Sequence, residues 1–254
     1  MPQTKLLILG GSSESASLAR ALASDQRFAA TLSLAGRTQH PAGGSTPTRS
    51  GGFGGAEGLA RYLALNRIDI LVDATHPYAA RMKRNAVEAA ALAGVKLLAI
   101  RRPPWMPEPG DNWITVADLN DAAAALGDEP RRVLLTTGRK ELAPFKAAAH
   151  HFYLLRSVDT PEPDVLPPRV KTISARGPFA YADEFELLRA HAIDVLVTKN
   201  SGGTATAAKL AAARALNLPV VMVERPAMPE APSVETVAEA LDWLEGAHSS
   251  TSSA

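Results

Sequence analysis

The chain has 254 residues, a formal net charge of +1, 46% hydrophobic residues and no cysteine. That length holds one large domain or two smaller ones, and the lack of cysteine removes disulfides, thiolate nucleophiles and Cys-ligated metal or iron–sulfur sites. With no Lys/Arg run longer than two residues, the near-neutral charge excludes a nucleic-acid surface or a polybasic membrane surface and leaves an anionic small ligand open. No apolar stretch approaches the roughly 20 residues that span a bilayer. Met1 leads into a strand pattern without a signal peptide, so the expectation is a cytoplasmic enzyme or binding protein with no membrane partner.

In the first half, apolar runs at residues 5–9, 29–34, 68–73 and 95–100 alternate with helical patterns at 13–24, 56–66 and 78–93. Continuous hydrophobicity in the strands, with helices between, predicts a parallel sheet covered on both faces. The first strand runs through Leu9-Gly10-Gly11-Ser12-Ser13-Glu14-Ser15-Ala16 into a helix. Backbone N–H groups and a helix N-terminus at a strand's carboxyl end suit a phosphate, so Gly10, Gly11, Ser12 and Ser13 are candidate cofactor-binding residues. The third glycine of the dinucleotide fingerprint is missing, and a tight turn capped by Ser13 explains the same pattern. The second strand ends at Leu34-Ala35-Gly36-Arg37-Thr38. In a doubly wound sheet the adenosine ribose lies there, and an Arg favours a 2′-phosphate where an acid would favour a free ribose, which marks Arg37 and Thr38. Residues 38–48, rich in Pro, Gly and polar side chains, read as a surface loop.

Asp73-Ala74-Thr75-His76-Pro77-Tyr78-Ala79 follows a buried strand. His76 is a candidate proton donor and Tyr78 a candidate for orienting or stacking on a ring. The plainer reading has Asp73 and Thr75 capping the next helix. Residues 127–130 are polar and turn-prone and mark the expected boundary between a domain of residues 1–128 and one of residues 129–246.

The second half repeats the first at an offset of about 125 residues. Its strands are expected at 133–137, 171–175, 194–198 and 219–223, and its helices at 141–149, 180–192, 204–216 and 234–244. Thr198-Lys199-Asn200-Ser201-Gly202-Gly203-Thr204 stands where the first half has its histidine cluster, and reads as an anion-binding loop opening a helix. Arg139, Lys140 and Arg176 add cations at strand ends and suggest a ligand with several carboxylates. His150 and His151, adjacent on an expected strand, would point to opposite faces. No metal-ligand spacing is present, and no metal site is expected. Arg102-Pro103-Pro104-Trp105-Met106-Pro107-Glu108 answers Arg225-Pro226-Ala227-Met228-Pro229-Glu230, which raises an exchange of terminal strands between the halves. Residues 247–254 are Ser-rich and expected to be disordered.

Taken in order, the glycine–serine turn, Ala35-Gly36-Arg37-Thr38, Gly51-Gly52-Phe53-Gly54-Gly55, the residue 73–79 cluster, Ala175-Arg176-Gly177-Pro178-Phe179 and Thr198 to Gly203 resemble the precorrin-6x reductase family of cobalamin biosynthesis, over residues 5–244. The resemblance implies two similar Rossmann-like domains with parallel sheets and a ligand cleft between them, the first binding NADPH and the second a tetrapyrrole. It further implies hydride transfer that reduces the C18=C19 bond of precorrin-6A to give precorrin-6B. His76, Tyr78 and Lys199 are then the candidate proton sources. Thr75, Arg139, Lys140, Arg176, Lys199, Asn200, Ser201, Gly202 and Gly203 are the candidate substrate contacts. Transient contact with neighbouring pathway enzymes is a further expectation. Metal-free and cobalt-bearing substrates are not separated at this level. A short-chain-type reductase is disfavoured because no Tyr-x-x-x-Lys pair occurs. A non-catalytic binder of an anionic ligand or tetrapyrrole is the alternative from another class.

Overall fold

The computed structural model describes residues 3–34, 46–139 and 141–251. In chain order the elements are β1 (Thr4–Leu9), α1 (Ser13–Leu22), β2 (Phe28–Leu34), β3 (Thr48–Ser50), α2 (Ala56–Leu65), β4 (Ile70–Asp73), α3 (Ala80–Ala93) and β5 (Lys96–Ile100). There follow β6 (Asn112–Val116), α4 (Leu119–Ala124), β7 (Arg132–Leu135), α5 (Ala143–Ala147), β8 (Phe152–Ser157), β9 (Val170–Ser174) and α6 (Tyr181–Ala190). The chain ends with β10 (Val195–Lys199), α7 (Ala208–Ala215), β11 (Pro219–Val223), β12 (Ser233–Val234) and α8 (Val237–Thr251).

Two six-stranded sheets form, ordered β12-β5-β4-β1-β2-β3 and β6-β11-β10-β7-β8-β9. Every strand pair in both is parallel. Read from the other edge, the first has the 3-2-1-4-5-6 order of the dinucleotide-binding fold, and the second repeats its 3-2-1-4-5 part with β6, the earliest strand of its unit, in the sixth place. In the first unit, alternate residues of β1 face opposite helical layers, as a strand buried on both sides requires. Leu6 and Ile8 pack with Leu18 of α1 and Ala240 and Leu244 of α8. Leu7 and Leu9 pack with Leu59 and Leu63 of α2 and Ala86 and Ala89 of α3. In the second unit Leu134, Leu154, Leu196 and Met222 meet Leu188 of α6 and Leu210 of α7, while Tyr153 packs edge-on to Phe145 of α5 at 5.8 Å between ring centres.

The sixth strand of each sheet comes from the other half of the sequence. β6 follows β5 but pairs with β11, Asn112 to Val116 lying beside Pro219 to Val223. β12 follows β11 but pairs with β5, Ser233 and Val234 beside Ala99 and Ile100. The compact units are therefore Met1–Pro103 with Pro226–Ala254, and Pro104–Arg225. The boundary expected at residues 127–130 falls inside the second unit, because strand and helix travel together past each Arg-Pro segment. Prolines fix φ and disfavour helix before them, so such a segment runs extended and carries the chain onward instead of back across its own sheet.

The structure corrects other expectations. The tail is helical through Thr251, and His248 Nδ1 lies 2.7 Å from Thr4 Oγ1. Residues 252–254 lie outside the described ones. β3, β6 and β12, short or at sheet edges, carry too little apolar pattern to stand out in sequence, whereas β8 is an interior strand of six residues that the expected strands left out. His150 and His151 precede β8 in a turn, so their rings lie 3.9 Å apart and do not point to opposite faces. His151 is buried and accepts a hydrogen bond from Arg131 N at 3.2 Å. Burial, then the neighbouring His150 and Arg131 charges, lower its pKa, against the pull of the Gly127 carbonyl and Asp128. A histidine harder to protonate folded than unfolded leaves stability intact above the unfolded pKa of about 6.5 and loses it as the pH falls below that value, by at most about 1.4 kcal/mol per pH unit. Thermal unfolding followed from pH 8 to pH 5 is expected to show a shallower acid decline for His151→Phe than for the wild type, and equal declines would remove His151 as the cause.

Candidate functional site

Because every strand is parallel, all carboxyl ends of a sheet meet one edge, where ligands of such folds collect. In the first unit this edge carries the β1–α1 turn, the end of β3 and the loop after β4. Gly10 N–H bonds the Ser33 carbonyl at 2.8 Å, and a Cβ on Gly10 would stand 2.8 Å from Leu32 Cδ1 and 2.9 Å from Leu34 Cδ2. The first glycine is thus there to let the turn press against β2. Gly11 has φ +122° and no heavy atom within 4 Å of a Cβ placed on it, so its backbone is open to a ligand. The helix cap is Ser12, not Ser13. Ser12 Oγ accepts from Ser15 N at 3.1 Å and donates to the Ala74 carbonyl at 2.7 Å, tying the turn to the β4 loop. Ser15 Oγ in return accepts from Gly11 N and Ser12 N, both at 3.2 Å. The N–H groups of Ser13 and Glu14 open the helix and have no carbonyl of its own to bond.

Arg102 donates to both oxygens of Glu14 at 2.8 and 2.7 Å and so brings a cation to this first turn. Burial opposes ionisation of Glu14, but the Arg102 hydrogen bond and charge, helped by backbone and Ser13 hydrogen bonds, hold its pKa below the usual carboxylate value. An open glycine, free helical N–H groups and a nearby guanidinium fit the pyrophosphate of a dinucleotide.

The β4 loop is organised by a buried network that sequence reading missed. Asp73 accepts from Thr75 Oγ1 at 2.6 Å and Thr75 N at 3.1 Å, and its other oxygen accepts from Lys83 Nζ at 3.3 Å. The Lys83 side chain is 2% exposed and that of Asp73 4%. Neither Asp73 nor Thr75 caps α3, whose cap residue is Ala79, and the Thr75 hydroxyl proton is committed to Asp73. His76 Nδ1 accepts from Tyr78 N at 3.3 Å, which assigns the ring proton to Nε2. The rings of His76 and Tyr78 lie 5.7 Å apart.

At the corresponding edge of the second unit, the β1–α1 turn has no counterpart. Lys5 N on Asp69 Oδ2 and Arg132 N on Asp194 Oδ2 are matching hydrogen bonds, so Gly10-Gly11 aligns with Thr137-Gly138. The chain then passes to a helix of only five residues. Thr137 Oγ1 is buried there without a hydrogen-bond partner. Arg139 pairs with Asp159 at 3.5 Å, and Lys199 with Glu141. The loop of Arg176 docks on the one after β10 through Phe179 N and the Ala205 carbonyl at 3.1 Å, with Gly177 needed because a Cβ would meet that carbonyl at 2.9 Å. Arg156 and Glu184 form a buried ion pair beneath, the guanidinium 4.0 Å from the Phe179 ring centre.

Residues 199–203 do not open a helix as expected. α7 starts at Ala208 without a side-chain cap, and Asn200 instead clasps Trp105, accepting from its N at 2.8 Å and donating to its O at 3.0 Å. Arg225 bonds the Asn200 and Ser201 carbonyls. Arg37, Thr38 and Lys140 lie outside the described residues. Among the described residues no helix is long and apolar enough to cross a membrane, and no group of three metal-ligating side chains stands together.

Two parallel sheets of this order, one entered through an open glycine turn and a capped helix, define a Rossmann-like α/β protein of nucleotide-binding build. The family model for precorrin-6x reductase CbiJ/CobK matches residues 5–245. A precorrin-6A reductase from Sinorhizobium sp is 50% identical over 96% of this chain and 95% of its own. A cobalt-precorrin-6A reductase from Priestia megaterium is 26% identical over 67% of this chain and 70% of its own. The solved structure titled CobK precorrin-6A reductase superposes with a TM-score of 0.91 at 47% identity, covering 97% of each chain. The chain belongs to the precorrin-6x reductase family. It is an oxidoreductase of cobalamin biosynthesis, a nicotinamide-dependent reductase of a precorrin macrocycle.

Removing Lys83 leaves the Asp73 carboxylate buried without its countercharge, which costs about 3–5 kcal/mol. Lys83→Met is therefore expected to lower the unfolding free energy measured in urea by that amount, and Asp73→Asn in the same chain to recover part of it. A recovery of nothing would show that the ion pair is not what the lysine contributes.

Proposed function

We propose that the chain reduces metal-free precorrin-6A to precorrin-6B at the C18=C19 bond with NADPH, in the cytoplasm. The observation that carries the assignment of cofactor to the first unit is the contrast between the two equivalent turns. Gly10-Gly11 leads directly into the ten-residue, Ser12-capped α1, whereas Thr137-Gly138 leads into a loop and a short helix. Gly10, Gly11, Ser12 and Ser13 then hold the pyrophosphate, and Arg37 and Thr38 the 2′-phosphate. When bound, NADPH supplies the hydride.

Thr75, Arg139, Lys140, Arg176 and Lys199 to Gly203 meet the macrocycle and its peripheral carboxylates, charged partners at the two ends of such contacts making the stronger hydrogen bonds. The residues of the chain also position the ring carbon and deliver a proton to its neighbour. His76, Tyr78 and Lys199 are the proposed sources. The Tyr78 N–H on Nδ1 favours His76, because an acceptor at Nδ1 directs the ring proton to Nε2. The metal-free substrate is favoured by the higher identity and fuller coverage of the relative named for it.

Absorbance of the purified protein with precorrin-6A and NADPH is expected to show nicotinamide oxidation coupled to the change in the macrocycle spectrum, faster than with NADH. A macrocycle shift without oxidation would instead mark a binding protein. His76→Asn is expected to slow turnover about 100-fold or more and to alter its pH profile. Unchanged turnover and profile would remove His76 as donor. Arg37→Ala is expected to raise the KM for NADPH about 10-fold with little effect on NADH, since one lost charged hydrogen bond is worth about 1.5–3 kcal/mol, and equal effects on the two cofactors would remove the 2′-phosphate role.

A further inference from the structure

One cation of the first unit is held in place without an acid. Arg49, on β3, is in register with Ser33 of β2, which is in register with Leu9 of β1. Its guanidinium therefore stands at the carboxyl edge, two strands from the glycine turn, or about 10 Å at the usual strand spacing. Nη1 donates to Ser33 Oγ at 2.7 Å and to the Gly51 carbonyl at 3.2 Å, and Nη2 donates to the Gly52 carbonyl at 3.3 Å. The group lies over the Phe53 ring, 3.9 Å from its centre, and 5.1 Å from that of Tyr62. These two rings brace each other edge-on at 5.2 Å.

Three neutral acceptors and a stacked ring fix the plane of the guanidinium while leaving its full charge uncompensated. No carboxylate among the described residues pairs with it, and the sequence from Phe28 to Ala56 contains no Asp or Glu. Of the five N–H groups of an arginine, the Nε–H and one on Nη2 remain for a ligand. That pair is a fork, which matches the oxygens of a phosphate and is already oriented before binding. In a sheet of this order, a dinucleotide whose pyrophosphate lies on the β1–α1 turn carries its adenosine ribose over the end of β2. Ser33, the residue Arg49 grips, is on that strand.

We propose that Arg49 binds the 2′-phosphate on the adenosine ribose and so selects the phosphorylated cofactor, as a second guanidinium besides Arg37. This rests on the reading of the first unit as the nucleotide site. The absence of any Asp or Glu from Phe28 to Ala56, the stretch that carries β2 and β3, removes the group that would hydrogen-bond a free ribose diol, so discrimination comes from both the added cation and the missing carboxylate.

The test is calorimetric titration of the full-length protein with adenosine 2′,5′-bisphosphate and with 5′-AMP, for the wild type, Arg49→Gln and Arg49→Lys. The wild type is expected to bind the bisphosphate at least 10-fold tighter than 5′-AMP. Arg49→Gln is expected to lose at least 10-fold on the bisphosphate and less than 2-fold on 5′-AMP. Arg49→Lys, which keeps the charge without the fork, falls between them and serves where the glutamine variant does not fold. Equal losses on both nucleotides, with a lower Tm, would show that Arg49 only holds the turn at Gly51 and Gly52, and would overturn the proposal. Bisphosphate binding unchanged in both variants would overturn it too, while leaving the nucleotide site standing. A wild type that binds neither nucleotide nor NADPH would remove the nucleotide reading of the unit itself.

Discussion

Parallel pairing around a central strand buried on both faces is the constraint on which the remainder rests. β1 has no solvent-facing side: Leu6 and Ile8 serve one helical layer and Leu7 and Leu9 the other. Such a strand's neighbours are reached by crossover connections, and a crossover returns the chain so that the next strand runs in the same direction. All the carboxyl ends then arrive at one edge. The chemistry-bearing loops converge because the core demands parallel strands, and the same holds in the second unit around β7.

Within that edge, small residues decide what each unit offers. Gly10 lets the first turn press on β2, and Gly11 adopts a φ that side chains avoid. Ser12 and Ser15 then satisfy one another and start a helix at once. The second unit has a threonine in place of the first glycine, and its chain wanders before a short helix forms. Duplication therefore supplied two copies of a scaffold and only one glycine turn that opens directly into a capped helix. The other edge is dressed with ion-paired cations, Arg139 with Asp159 and Lys199 with Glu141.

The buried charges do a different task. Lys83 with Asp73, and Arg156 with Glu184, lie under the loops that carry His76 and Arg176 respectively. An ion pair removed from water gains little net stability over well-packed apolar residues, yet its geometry is exacting. Such pairs hold a loop in one arrangement, and the arrangement of His76, with its Nδ1 occupied by the Tyr78 N–H, depends on the loop that Asp73 anchors.

Much of this was legible in the chain itself. Apolar runs such as Ile70 to Asp73 can only be strands buried on both faces, the helices between them follow from their 3.6-residue period, and the glycine–serine turn and the histidine cluster stand out by residue type alone. What the tertiary structure decided is which pieces belong together. A two-residue strand such as β12 has no period to read, and the matching Arg-Pro segments raised an exchange of terminal strands without showing that β6 would pair with β11 and β12 with β5. Asp73 looked like a helix cap until Lys83, ten residues on, was seen to turn inward, and nothing local told Asn200 to close on Trp105. Arg49 was one arginine in a glycine-rich stretch until β3 set it beside Ser33. Local pattern determines which segments bury which face, because burial is a property of each side chain and its period. Pairing between distant segments is a property of the whole packed chain, and only the fold could supply it.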